Sequence, residues 1–349
     1  MTMLILWIAI ALLIGALQYA MPQLTRRDIF FAVTVAPEFR ATPEARGILA
    51  AYRRAIVFAA LLTMFLLIAV GRFGMELAAA GILMLQLVAD GVFFVVAYRR
   101  TLPHATAASS IHEASIGAHA AMPGLTPLLF GPYLMLACAV LLTRAHWSEI
   151  PDPMPVHWDI AGNPNGWMPK TWLLYAGMTA GELVLCLMLT FAIVGMLYFS
   201  RQIAASGASA REERRFRWIG IAALLAGSYL SAALAFLPLS PRATFSFGGV
   251  TFFLAIMVVG SIEMVRRGQG GTRLAHANGE PIIADRTPDT CWKWGAIYYN
   301  PDDPALVVEK RFGIGWTLNF AHRGAWIFVG LILMSVALSL SLPLLARFH

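Results

Sequence analysis

The sequence predicts an all-α polytopic membrane protein of about eight transmembrane helices. Both termini are expected to be extracytoplasmic, with a small cytoplasmic β-hairpin-like element before the last helix. Three observations carry this expectation. Of the 349 residues, 59% are apolar and only 13% charged, with a mean hydropathy of +0.69, whereas a soluble domain carries about 25% charged residues. Apolar runs recur at about the 20-residue length that crosses a bilayer. Basic residues concentrate in alternate connecting segments, as the positive-inside bias demands.

The spans follow in order as residues 3–20, 55–70, 77–98, 125–143, 172–199, 218–239, 243–262 and 324–346. Unpaired backbone amides are too costly in lipid, so each is expected to be helical. The fifth is longer than a bilayer requires and should tilt or project. Basic residues crowd the segments after spans one (Arg26 to Arg54), three (Arg99, Arg100), five (Arg201 to Arg217) and seven (Arg266 to Arg323). The alternate segments hold Arg72, then Arg144 and Lys170, then Arg242. The net charge of +7 therefore reports orientation and gives no reason to expect direct nucleic-acid binding. No basic n-region or small-residue cleavage site marks a signal peptide. Three cysteines make no disulfide framework; Cys138 and Cys186, inside spans, are expected to be buried thiols.

Four regions result. Residues 1–124 form a three-helix membrane region with basic cytoplasmic loops, and 125–265 a second membrane region with an extracytoplasmic loop at 144–171. Residues 266–323 form a cytoplasmic aromatic and glycine-containing region, and 324–349 the last helix.

The extracytoplasmic loop carries the most distinctive stretch, from Pro155 through His157, Trp158, Asp159, Gly162, Asn165 and Gly166 to Lys170. Asn163-Pro164-Asn165-Gly166 is a turn signal, because Pro sets φ and Asn and Gly tolerate positive φ. A turn there brings His157, Trp158 and Asp159 towards Trp167 and Lys170. The stretch reads either as a ligand-binding loop on a rigid scaffold or as a hairpin anchored at the interface by Trp.

Inside, Pro43-Glu44 is placed to open a helix running into span two. His104, His112 and His119 read as solvated surface histidines or as a metal or proton site, though no carboxylate or Cys cluster completes a ligand set. The segment 266–323 begins with a glycine stretch, 268–271, expected to be flexible. Residues 297–299 and 306–308 have β propensity and are expected to pair across a Pro/Asp turn. Trp294, Tyr299, Asn300, Pro301, Asp303, Pro304, Gly313, Gly315, Trp316 and Asn319 stand out as a partner-binding set; the competing reading of the aromatics is an interfacial belt. Gly313-x-Gly315 lacks the surroundings of a phosphate loop.

The stretch from Pro155 to Lys170, directly before a span, resembles the signature of bacterial SdpI-like membrane proteins. The stretch Trp294 to Phe320, with Tyr298-Tyr299-Asn300-Pro301-Asp302-Asp303-Pro304 and Gly313-Ile314-Gly315-Trp316-Thr317-Leu318-Asn319-Phe320, resembles a companion domain of unknown function found beside it in larger relatives. Residues 26–54 are similar to the N-terminal part of those relatives. The resemblance implies a multi-pass protein of the bacterial plasma (inner) membrane. It implies immunity against a secreted peptide toxin and signalling by holding a small winged-helix repressor at the membrane. This chain, with eight expected spans, is larger than the compact immunity proteins.

Two carboxylates lie within spans: Asp90, with Gln86 a turn before it, and Glu182, after Gly177 and Gly181. A carboxylate at the bilayer centre costs about 3 kcal/mol on insertion scales and so faces protein or a cavity. The pair reads as a proton or cation site shared between spans three and five, or as hydrogen-bonded packing residues. The small-xxx-small pair predicts close helix contact. His146, Glu149, Asp152, His157 and Asp159 lack the spacing of a zinc site, so no metal is assigned. Ser148 has no nucleophile elbow, and no Walker, dinucleotide, CxxC or haem motif is present. The expectation is a non-enzymatic receptor or immunity-like protein without cofactor, contacting membrane lipid, with an extracytoplasmic peptide ligand. A proton-coupled transporter using Asp90 and Glu182 is the alternative.

Overall fold

The structure is a computed structural model. It describes residues 2–26, 28–71, 76–106, 125–158, 164–200, 207–239, 247–271, 273–274 and 287–345. The expected spans are helices: α1 (Thr2–Leu24), α2 (Pro43–Gly71), α3 (Glu76–Thr101), α4 (Leu125–Ala145), α5 (Trp172–Tyr198), α6 (Gly207–Leu234), α7 (Phe247–Arg267) and α8 (Arg323–Leu345). Over the described residues, α1 to α6 are long and apolar enough to cross a membrane, and α8 contributes a shorter apolar stretch, Arg323–Leu338. Large apolar side chains point outwards from these helices, with Phe65 67% and Leu134 70% exposed. A soluble surface would not carry so much apolar area. The chain is an all-α polytopic membrane protein.

Helix α2 starts as its sequence requires. Pro43 occupies the first helical position, where a missing N–H costs nothing, and the Thr42 hydroxyl accepts from the Ala45 N–H at 3.2 Å. Its 29 residues span about 44 Å, so its arginine-bearing start extends beyond an apolar core about 30 Å thick.

Helices α1, α2 and α3 pack on one another, while α5 and α6 form the centre of a second group with α4, α7 and α8 against them. Close approach in the first group occurs where Gly15 meets Ala60: a Cβ on Gly15 would lie 2.9 Å from the Ala60 Cβ. At Gly181 a Cβ would meet nothing within 4 Å, so this glycine does not mark a tight helix contact as expected. Cys186 is buried and directs its thiol to the Ser228 carbonyl at 3.5 Å. Cys138 is exposed on α4, contrary to expectation, because it lies on the outer face of an apolar helix where lipid covers it.

Contacts bring the described arginine-bearing segments to one end of the molecule: Tyr98 reaches Trp292, Arg311 reaches Ala32, Arg267 pairs with Glu212, and the Phe199 carbonyl accepts from Leu306. There, three two-stranded hairpins form a cap: β1 (Ile29–Phe30) with β2 (Val33–Thr34), β5 (Trp292–Lys293) with β6 (Ile297–Tyr298), and β7 (Val307–Glu309) with β8 (Trp316–Leu318). At the opposite end, β3 (Met154–Trp158) pairs with β4 (Pro164–Met168).

Three expectations change here. Residues 297–298 and 307–309 are strands, but they do not pair with each other; each pairs with another segment. The reason lies in the turns. Trp294 and Gly295 have φ of 51° and 73°, which folds β5 onto β6. A Cβ on Gly295 would also lie 2.8 Å from the Tyr98 ring, so only glycine fits. Second, 268–271 is an ordered, buried turn. Gly268, Gly270 and Gly271 have positive φ, and a Cβ on Gly271 would meet the Glu212 backbone at 2.6 Å. These glycines serve left-handed backbone and close approach, not looseness. Third, Pro164, Asn165 and Gly166 lie in β4 and not in the turn, whose residues 159–163 are outside the described ones.

Candidate functional site

At the hairpin end, Met154 pairs with Met168, Pro155 with Trp167, His157 with Gly166 and Trp158 with Pro164. The hairpin's base is an apolar cluster of Ile150, Met154 and Leu174, with Trp147, Val156, Met168 and Met178 against it. The Trp147 and Trp172 rings stack at 3.9 Å. Lys170 serves this base: its ammonium donates to the carbonyls of Ile150 at 2.7 Å and Trp147 at 3.2 Å. Its N–H donates to the Asp152 carboxylate at 3.1 Å. It therefore rivets the base of the hairpin. Thr171 caps α5 by accepting from the Leu174 N–H at 3.1 Å, as a threonine N-cap does. Pro155 is buried and Gly166 half-buried, whereas Asp159 and Gly162 lie outside the described residues.

In the cap, the predicted partner-binding set divides. Asn300, Asp303 and Asn319 knot the chain together. Tyr298 Oη donates to the Asp303 carboxylate at 2.8 Å, and the Asn300 N–H donates to Asn319 Oδ1 at 3.0 Å. Asn319 Nδ2 donates to the carbonyls of Asn300 at 2.8 Å and Asp303 at 3.1 Å. Buried polar groups need such partners. Gly313 packs against Met21, the Gly315 N–H donates to Gln269 Oε1 at 2.8 Å, and Trp316 packs on Phe216. By contrast Trp294, Tyr299, Pro301 and Pro304 are exposed. Trp294 and Tyr299 line a groove of about 920 Å³ with Ile297 and Trp326, and with Arg99 and Lys293 among its polar lining residues.

Arg311 reads in the sequence as one charge in a basic segment, yet it is the hub of the cap. It is 5% exposed and donates to the Asp289 carboxylate and to the carbonyls of Thr287 and Ala32. Asp289 in turn accepts from the Thr34 hydroxyl at 2.8 Å. Burial alone would raise the Asp28 carboxyl, but Arg26, 2.8 Å away, outweighs it and holds that carboxyl below its ordinary value. Glu212, paired with Arg267, and Gln269, bonded twice to the Gly315 backbone, tie the cap together without any local sequence signal. No local pattern announces partners that lie tens to hundreds of residues away. His104 stacks on Phe39 at 4.6 Å; His112 and His119 lie outside the described residues.

The intramembrane carboxylates have separate surroundings. Glu182 accepts from the Ser231 hydroxyl, between α5 and α6. Asp90 is 1% exposed, and neither carboxylate oxygen has a hydrogen-bond partner in the protein. It lines a cavity of about 350 Å³ between α1, α3 and the cap, with Gln18, Phe94, Trp292, Lys310 and Phe312 among the walls. The Gln86 amide, one turn away, donates to the Ala11 carbonyl at 3.0 Å. Among the described residues no group of three metal-ligating side chains converges.

A membrane-embedded helix assembly, with a hairpin at one end and a strand-built cap at the other, thus defines the class of protein. Residues 134–179, which hold the hairpin and the start of α5, match a domain of unknown function (DUF1648), and residues 301–326, in the cap, match a family of unknown function (DUF5808). No curated protein and no solved structure matches the chain.

Proposed function

We propose that this chain is a non-enzymatic, SdpI-like membrane receptor of the bacterial plasma membrane. In this reading the hairpin engages a peptide or envelope ligand outside, and the cap signals to a cytoplasmic regulator, a winged-helix repressor being the partner the resemblance implies. One observation carries it: α5 joins the two special regions as a single helix. Near its start, Leu174 and Met178 pack into the hairpin base. At its end, the Phe199 carbonyl accepts from both the Leu306 and Val307 N–H groups, at 2.9 and 3.0 Å. Ile193, Met196 and Leu197 form one core with Leu306 and Val307. A 27-residue helix is about 40 Å long, so a shift imposed by the hairpin has a continuous element along which to reach the cap.

The exposed groove residues Trp294 and Tyr299 are the surface left for a regulator, since Asn300, Asp303 and Asn319 are occupied within the fold. The test is hydrogen exchange on the protein in lipid nanodiscs. His157→Ala with Trp158→Ala is expected to change protection of residues 305–320 by roughly fivefold, about 1 kcal/mol of local opening. Unaltered exchange there would remove the reading's basis. Co-purification from the host supplies the second arm: a soluble regulator should bind wild type and be lost in Trp294→Ala/Tyr299→Ala.

The unpartnered Asp90 favours a second reading, a proton-coupled transporter, because a buried carboxylate facing a cavity is expensive without a role. Under that reading Asp90→Asn abolishes pH-driven flux in proteoliposomes, while the hairpin variant leaves flux intact.

A further inference from the structure

A second, unassigned feature lies on the outside of the first helix group. Along α2, Arg46, Leu49, Ala50, Arg53, Arg54, Val57, Phe58 and Leu61 recur at intervals of three and four, so they share one face. With Tyr19 of α1 they line a groove of about 610 Å³. The face changes character along its length. Its first half carries three guanidinium groups, and its second is apolar and open, with Phe58 65% and Leu61 51% exposed. Arg53 is the central group. Its guanidinium lies 4.5 Å from the Tyr19 ring, and its Nε and Nη2 are buried without a hydrogen-bond partner. No ion pair occupies Arg46, Arg53 or Arg54 among the described residues.

We propose that this groove is a binding site for an anionic glycerophospholipid. The phosphate is held by Arg53 with Arg46 and Arg54, and an acyl chain runs down Val57, Phe58 and Leu61. Three guanidinium groups without an ion pair among the described residues line one groove, with Arg46 and Arg54 exposed in it, and such a cluster suits an oxyanion; the planar fork of Arg matches a phosphate through two parallel hydrogen bonds. The distance from Arg53 to Leu61, eight residues on a helix, is about 12 Å, which is the step from headgroup phosphate into the acyl region. The groove lies where α2 passes from its polar start to its membrane-spanning part, so an amphiphile meets both halves without leaving the bilayer. A free phosphate would use only the arginines and leave Val57, Phe58 and Leu61 unused. A basic site at the membrane surface is expected to select anionic over zwitterionic lipid.

The experiment is native mass spectrometry of the detergent-solubilised full chain. It is titrated with phosphatidylglycerol, with phosphatidylcholine of the same acyl chains, and with inorganic phosphate. Wild type is expected to retain phosphatidylglycerol roughly tenfold better than phosphatidylcholine, and Arg53→Gln/Arg54→Gln to abolish that preference. Arg53→Lys keeps the charge but not the fork, and is expected to fall between. Phosphate in large excess should not displace the lipid. Equal retention of the two lipids by wild type, or an unchanged preference in the double variant, overturns the proposal. Displacement by phosphate overturns the lipid assignment. If the double variant fails to fold, the exposed singles Arg46→Gln and Arg54→Gln carry the test, each expected to lower the preference and overturning the proposal if neither does.

Discussion

Asp28 shows how a single residue's chemistry becomes a property of the cap. Its pairing with Arg26 holds the carboxyl below its ordinary value of 3.8 against the opposing effect of burial. A depressed folded-state value means that the stabilisation is complete above the unfolded value and is lost as pH falls through the folded one. Loss of cap protection in acid should therefore begin below the ordinary carboxylate range in wild type. In Arg26→Gln it should begin at higher pH, because the favourable charge is gone while burial remains. Hydrogen exchange of residues 28–35 between pH 3 and pH 6 (about the range where carboxylates titrate) reads this directly; identical profiles would contradict it. The Asp28 and Arg26 side chains were both legible as charges. Their pairing follows the local sequence, but the burial that makes it matter comes from packing.

Among the elements, α6 makes a close contact with β8. A Cβ on Gly220 would lie 2.7 Å from the Trp316 ring and 3.1 Å from Met196 Cε. Trp316 is also packed on Phe216, so it has little room to retreat. Gly220→Leu is expected to destabilise the protein by about 2–3 kcal/mol, as overpacking of a close contact does, with Gly220→Ala milder. Thermal denaturation of the detergent-purified protein measures it, and a midpoint equal to wild type would refute the packing. The same contact explains why Trp316 is a poor probe of partner binding: removing it disturbs the α6 interface, whereas Trp294 and Tyr299 stand clear. The strands themselves were legible in residues 297–299 and 306–308, yet their partners were not. Pairing was decided by left-handed backbone at Trp294 and Gly295 and by Asn319 reaching both Asn300 and Asp303, contacts that propensity does not encode.

For the whole molecule, the cap and the hairpin lie at opposite ends, and the arginine bias leads us to expect the cap in the cytoplasm. Single cysteines in a cysteine-free background check this. Trp167→Cys, exposed on the hairpin, should react with an impermeant maleimide in intact cells. Trp294→Cys, exposed on the cap, should react only after permeabilisation. The opposite pattern would invert the topology, and with it the sides on which the proposed ligand and regulator are expected. The lipid groove on α2 would then face the other leaflet, although its chemistry would stand.

The sequence by itself determined the class, a helical protein with repeated membrane-crossing segments, and marked which stretches carry unusual polar and aromatic residues. These are properties of local composition and of charge counted along the chain. Only the tertiary structure decided that Lys170 and Asn319 hold the fold, that Asp90 faces a cavity without a partner, and that Arg311 gathers the cap. Arg311 reaches the Ala32 carbonyl across 279 positions of sequence. Such a contact exists only after the helices have brought both segments to one end, and no residue near either carries a signal of the other.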